Sequence, residues 1–180
     1  MSSLPSFAYH PDPVASGSIV ESQDACRCCG QQRGYLYSGP VYSETDLDDA
    51  LCPWCIASGE AHRRFQATFV DEEVFADEVP PAVVDEIAQR TPGYCAWNSE
   101  AWPHCCSDAT AFLSPLSIGE LRTTARQAEG QLMSYIVHEM GISGGAAWRL
   151  MEALSRDAAP TLYLFQCRHC SQYHFHIEML

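Results

Sequence analysis

The chain contains no lysine. All 10 of its cationic side chains are arginines, set against 23 carboxylates, which leaves a formal net charge of −13 over 180 residues. That balance argues against nucleic acid as a partner, because phosphate binding depends on clustered cations that release condensed counterions. It favours association with basic proteins instead. A second absence is any run of the roughly 18 apolar residues needed to span a bilayer. The opening Met1 to Pro13 also has neither the positive n-region nor the apolar h-region of a secretory signal. No membrane association and a cytoplasmic location are therefore the expectations. Phosphate-cradling loops, dinucleotide fingerprints and G-x-S-x-G elbows are missing too, and His138-Glu139 lacks the second histidine of H-E-x-x-H.

What the chain has in quantity is cysteine, ten in all. In a reducing compartment these are metal ligands and buried small hydrophobes rather than disulfides. Six form C-x-x-C pairs: Cys26/Cys29, Cys52/Cys55 and Cys167/Cys170. A two-residue spacer lets a tight turn aim both thiolates at one tetrahedral ion, and two such pairs within thirty residues read as a zinc ribbon. Cys26, Cys29, Cys52 and Cys55 are thus the expected ligands of a structural zinc, with Cys28 offering a competing register for the first pair. Cys52-Pro-Trp-Cys55 also matches a glutaredoxin-type dithiol, but the acidic approach Glu44 to Asp49 supplies no hydrophobic strand leading into it.

The third pair needs partners if it binds metal. His104, Cys105, Cys106 and Asp108 form the other tight cluster of ligand types. A thiol or open-metal enzyme built on His104, Cys105, Cys106, Cys167 and Cys170 is the catalytic alternative.

The remaining pattern predicts an α+β fold: N-terminal zinc-ribbon-like knuckles with a hairpin, central helices, and a C-terminal β-hairpin carrying the third knuckle. The aromatic run Tyr35 to Tyr42 reads as strand in the ribbon's hairpin. Ala57 to Phe65 and Pro81 to Arg90 read as helices, the latter with proline in its first turn. Asp71 to Pro81 is a solvated connection. From Ile118 to about Met140 the stripe Leu121, Ala125, Ala128, Leu132, Tyr135, Ile136, Met140 has helical spacing. A second helix capped by Ser143 follows. Thr161 to Phe165 and Tyr173 to Ile177 are strands. The block Thr91 to Asp108, dense in aromatics and cysteines, fits neither type; Tyr94, Trp97 and Trp102 are candidates for a groove or for core. One domain over 1–180, with 22–60 as its zinc-ribbon-like part, is the expected organisation.

Taken together, Phe7-x-Tyr9-His-Pro-x-Pro13, the paired knuckles, Cys52-Pro-Trp-Cys55-Ile-Ala-x-Gly59, Thr91-Pro-Gly-Tyr94 with Trp97 and Trp102, the Cys105/Cys106 to Asp108 block and Leu162-Tyr-Leu-Phe165-x-Cys167-x-x-Cys170 resemble the CbrC family of small bacterial proteins. The resemblance implies tolerance of a nuclease colicin. It makes a basic toxin the expected protein partner, zinc the expected cofactor, and non-catalytic binding or immunity the expected function. It also implies a central H-C-x-D-x-C pattern, with Cys106 as the ligand before Asp108. Thr110 stands where a further cysteine would fall, a departure that weakens the second site unless His104 or Cys105 substitutes.

Overall fold

The computed structural model describes residues 3–98 and 100–179. Its described strands form three small antiparallel sheets. Ile19–Glu21 (β1) pairs with Tyr35–Tyr37 (β2) in the register Ile19↔Tyr37, Val20↔Leu36 and Glu21↔Tyr35. The segment between these two strands carries the first cysteine pair. The hairpin is therefore placed differently from the sequence expectation: Tyr35 onward is its second arm, and its first arm lies upstream of Cys26. Strand β2 is short because Gly39-Pro40 follows it, and proline cannot donate to a ladder.

Helices Pro53–Ala57 (α1) and Glu60–Phe65 (α2) follow, separated by Gly59 in the left-handed region. Phe7, Ile19, Leu36, Tyr37, Leu51, Ile56 and Phe69 pack with Cys26, Cys52 and Cys55 into one buried cluster. Helix α3 (Pro81–Arg90) spans the expected residues, starting on proline, which needs no intrahelical donor there. The connection before it includes one 3-10 turn, Glu72–Val74.

The third sheet has the order β5-β6-β7, from Ala111–Leu116, Thr161–Gln166 and Tyr173–Glu178; the two-stranded sheet before it joins β3 (His104–Cys105) to β4 (Asp108–Ala109). Strand β6 is buried on both faces, so it reads as an unbroken apolar run rather than an alternating one. Its alternation still divides the interior. Leu162 and Leu164 face a helical layer with Phe175 and Ile177, whereas Tyr163 and Phe165 face an aromatic cluster with Tyr94, Trp102 and Phe112. Tyr94 stacks on Phe112 at 4.4 Å between centroids. Pro115 is accommodated in β5 because that strand lies at the sheet edge.

The helical layer comprises Ile118–Thr124 (α4), Glu129–His138 (α5) and Gly144–Ala153 (α6). The single helix expected over 118–140 is broken at Ala125, which has φ −144° and ψ 48°. Thr123 and Thr124 both turn their hydroxyls onto the Glu120 carbonyl, at 2.9 and 2.8 Å, and such back-bonding competes with continuation of the helix. The expected stripe is nonetheless buried at Leu121, Ala125, Ala128, Leu132 and Ile136. No helix among the described residues is long and apolar enough to cross a membrane.

Candidate metal centres

Two groups of four cysteines are assembled by this fold. Cys26, Cys29, Cys52 and Cys55 have all their sulfurs within 4.8 Å of one another, and so do Cys105, Cys106, Cys167 and Cys170. Within the first group the Cys26–Cys55 and Cys29–Cys52 sulfurs lie 3.9 and 3.8 Å apart; within the second, Cys105–Cys106 and Cys105–Cys170 lie 3.7 Å apart. None is a disulfide. A tetrahedron with metal–sulfur bonds of about 2.3 Å has edges of about 3.8 Å. The donor set and its spacing therefore fit a metal ion held by four thiolates.

The first and third pairs sit on the same backbone turn. Cys26 N–H donates to the Gln31 carbonyl at 3.0 Å and Gly30 N–H to the Cys26 carbonyl at 2.7 Å; Cys167 N–H donates to Gln172 at 2.8 Å and Ser171 N–H to Cys167 at 3.0 Å. Gly30 and Ser171, at matching positions, both have positive φ, 69° and 61°. The second pair is different, with Cys52 the residue preceding α1 and Cys55 inside it. The fourth element is the β3–β4 turn, in which Cys106 and Ser107 both take φ 55°. Two consecutive left-handed residues are what a two-residue hairpin turn of this hand requires.

Backbone amides aim at one sulfur in each group. Cys52 N–H reaches the Cys26 sulfur at 3.2 Å, and the N–H groups of His169 and Cys170 reach the Cys167 sulfur at 3.4 and 3.5 Å. Hydrogen bonds from the Cys52 and Cys55 thiols hold Cys26 well below the ordinary thiol range, and the bond to Cys26 raises Cys52. At Cys167 burial acts upward, but the amides of Cys170 and His169 and the neighbouring thiols outweigh it and bring the pKa to about 6. Stabilised thiolate is the form a metal takes.

The surroundings of the two groups differ. The first is buried apart from half-buried Cys29, whereas Cys106 and Cys170 of the second are exposed. Behind the second group stands Asp108, whose carboxylate accepts from Tyr9 Oη at 2.8 Å, His169 Nε2 at 2.8 Å, Arg168 at 3.3 Å and Ala109 N–H at 2.8 Å. Burial disfavours its charge, yet these partners hold its carboxyl below the usual range. Arg168 lies over the Tyr9 ring at 4.3 Å. Asp108 thus ties the turn of the third pair to β4 and to the N-terminal arm.

All seven cysteines singled out in the sequence, Cys26, Cys29, Cys52, Cys55, Cys106, Cys167 and Cys170, fall in these groups. Cys105 is the eighth, and the sequence reading placed it among alternatives rather than among the ligands. It fills the corner that Thr110 does not, since Thr110 is buried with its hydroxyl on the Pro103 carbonyl at 2.7 Å. His104 is exposed and belongs to neither group; it borders a separate cavity of about 450 Å³ with His138 and His174. Cys28 is buried beside the first group, where burial raises its thiol pKa, and is not one of the four. The Asp108 network had one visible trace in the sequence, the cysteine-to-aspartate spacing, but not its partners.

The chain resembles UPF0167 protein Mb2317 of Mycobacterium bovis and UPF0167 protein MT2352 of Mycobacterium tuberculosis, each 42% identical over 168 residues, covering 93% of this chain and 89% of the relative. It is 39% identical over 178 residues to UPF0167 protein PA1536 of Pseudomonas aeruginosa, covering 97% of each. No solved structure matches it. With the family model matching residues 4–179, the chain belongs to the uncharacterised protein family UPF0167.

Proposed function

We propose that this chain is a non-catalytic zinc protein, with one Zn²⁺ in each four-cysteine group, that acts by binding another protein. The observation that carries the metal half is the sulfur spacing of 3.7–3.9 Å, which suits a closed tetrahedron of thiolates. Soft sulfur donors select zinc or iron over magnesium and calcium. Four protein ligands leave no coordination position for water or substrate, which favours a structural role over the thiol or metal enzyme considered from sequence. Elemental analysis of protein purified without added metal tests this: two zincs per chain, one lost in Cys105→Ser, is the expected result. Iron in place of the two zincs, with visible thiolate absorption, would change the metal, and no bound metal would remove the reading.

The binding half rests on the net charge of −13 and on the CbrC resemblance. A basic nuclease toxin is the proposed partner, approached through long-range attraction between opposite charges. Calorimetric titration with a basic colicin-type nuclease domain at two salt concentrations tests it. Binding that weakens as salt rises supports the proposal, and absence of binding at low salt overturns it.

A further inference from the structure

Aromatic side chains of this size are ordinarily either buried or scattered singly on the surface. Trp97 is 57% exposed, yet its indole is pinned. Its Nε1–H donates to Thr161 Oγ1 at 3.1 Å, and its backbone N–H donates to the carboxylate of buried Glu178 at 2.8 Å, which also accepts from the Asn98 N–H and from Tyr163 Oη. The ring so held borders a cavity of about 420 Å³, floored by the buried aromatics Tyr94, Phe112 and Tyr163.

Three polar residues, Arg156, Asp157 and Ser16, line the same cavity. The Arg156 guanidinium is itself fixed, donating to the Ala15 carbonyl at 2.8 Å and facing Glu120 at 3.5 Å. Those contacts engage two of its five N–H donors. Ser16 Oγ is held by His10 Nε2 at 2.7 Å. The cavity has the size of a small-molecule site, with aromatic walls and a few placed polar groups. Trp97, Arg156 and Ser16 are each held by contacts of their own, which lowers the entropic cost of binding.

From this arrangement we infer that the cavity between Trp97 and the Arg156–Asp157 edge binds a planar, uncharged heteroaromatic molecule of purine type, with hydrogen-bond donors and acceptors on one edge. The aromatic floor and indole supply faces for a flat ring. Arg156 supplies donors and the neighbouring Asp157 an acceptor, a pairing that matches a ring edge carrying both. The Arg156 charge is already faced by Glu120, so an anionic substituent such as a phosphate would meet Asp157 and a chain of net charge −13, and the base or nucleoside fits better than the nucleotide. The site is separate from the two cysteine groups and independent of the metals they hold.

The test is a fluorescence titration of the full chain with 2-aminopurine, whose emission is quenched on stacking. Saturable one-site binding below about 1 mM is expected, weakened at least about tenfold by Asp157→Ala, which removes the acceptor, by Trp97→Ala, and by Ala96→Leu, whose larger side chain narrows the cavity. Far-UV circular dichroism and metal content should be unchanged in all three. Indole serves as the comparator without the complementary polar edge. No saturable quenching, quenching that all three variants retain, or indole binding as tightly as 2-aminopurine would each overturn the inference. Stronger binding by 2-aminopurine riboside 5′-monophosphate than by the free base would overturn its uncharged character.

Discussion

The Tyr9 hydroxyl donates to the Asp108 carboxylate at 2.8 Å across 99 positions of sequence, fastening the N-terminal arm to the strand beside the second cysteine group. Asp108→Ala would leave the Tyr9 hydroxyl and the Ala109 amide without their buried acceptor, at a cost of about 2–3 kcal/mol. Tyr9→Phe removes one bond of four and should cost about 1 kcal/mol. Urea unfolding of both variants checks the order. Equal and negligible effects would show that the carboxylate does not fasten the arm.

Exposure separates the two cysteine groups. Because Cys106 and Cys170 are exposed while Cys26, Cys52 and Cys55 are buried, a chelator should strip metal in two phases, the second group first. Cys105→Ser should abolish the fast phase and spare the slow one. Cys28→Ser should leave both, since Cys28 lies outside the four. Metal release followed with a zinc-sensitive dye distinguishes these outcomes.

His10 is fully buried, between the Pro92 carbonyl at 2.8 Å and Ser16 Oγ at 2.7 Å, and burial lowers its pKa to about 4 despite the favourable bond to Pro92. A histidine depressed in the fold contributes stability that is complete above its unfolded value near 6.5 and is lost as pH falls through 4, about 3 kcal/mol in all. Protonation of metal-bound thiolates acts in the same direction. The contribution of His10 is therefore read as the difference between wild type and His10→Asn. The variant should lose less stability than wild type between pH 6.5 and 4, measured by denaturant midpoints.

Gly93 packs directly against backbone. A Cβ there would stand 2.0 Å from the Phe69 carbonyl oxygen and 3.0 Å from Tyr37 Oη. Gly93→Ala must displace a segment of the chain and should cost about 3 kcal/mol or more. A melting temperature within a degree of wild type would contradict this packing.

The equivalence of Gly30 and Ser171 makes a gain available. Ser171 holds a left-handed conformation that glycine adopts without steric cost, so Ser171→Gly should stabilise the chain by about 0.5–1 kcal/mol. Gly30→Ala, with open space around its Cβ, should lose a similar amount through its backbone alone.

Regular spacing made much of this architecture legible. The C-x-x-C pairs, the proline at the start of α3, and the strands β6 and β7 on either side of a knuckle all follow from local rules acting on neighbouring residues. What was not legible depends on distant partners. Strand β5 escaped recognition because its Pro115 is tolerable only at a sheet edge, and nothing local says which edge. Cys105 is not marked as a ligand beside Cys106 because bringing both into one group takes a hairpin turn at Cys106 and Ser107, which lacks the Asn-Gly or Asp-Gly that signals such turns. The division of β6 between helical and aromatic neighbours likewise appears only once both layers are assembled.

The spacing of the cysteine groups along the chain sets an order of events during synthesis. The first group needs nothing beyond Cys55, so its half of the chain can close around an ion while the rest is still being made. The second joins Cys105 and Cys106 to Cys167 and Cys170, and the Cys105–Cys170 contact alone spans 65 positions. Until residue 170 has emerged, two vicinal thiols wait in the nascent chain without their partners. An ion offered before Cys167 has emerged can therefore be held by the first group alone, since the second still lacks two of its thiols.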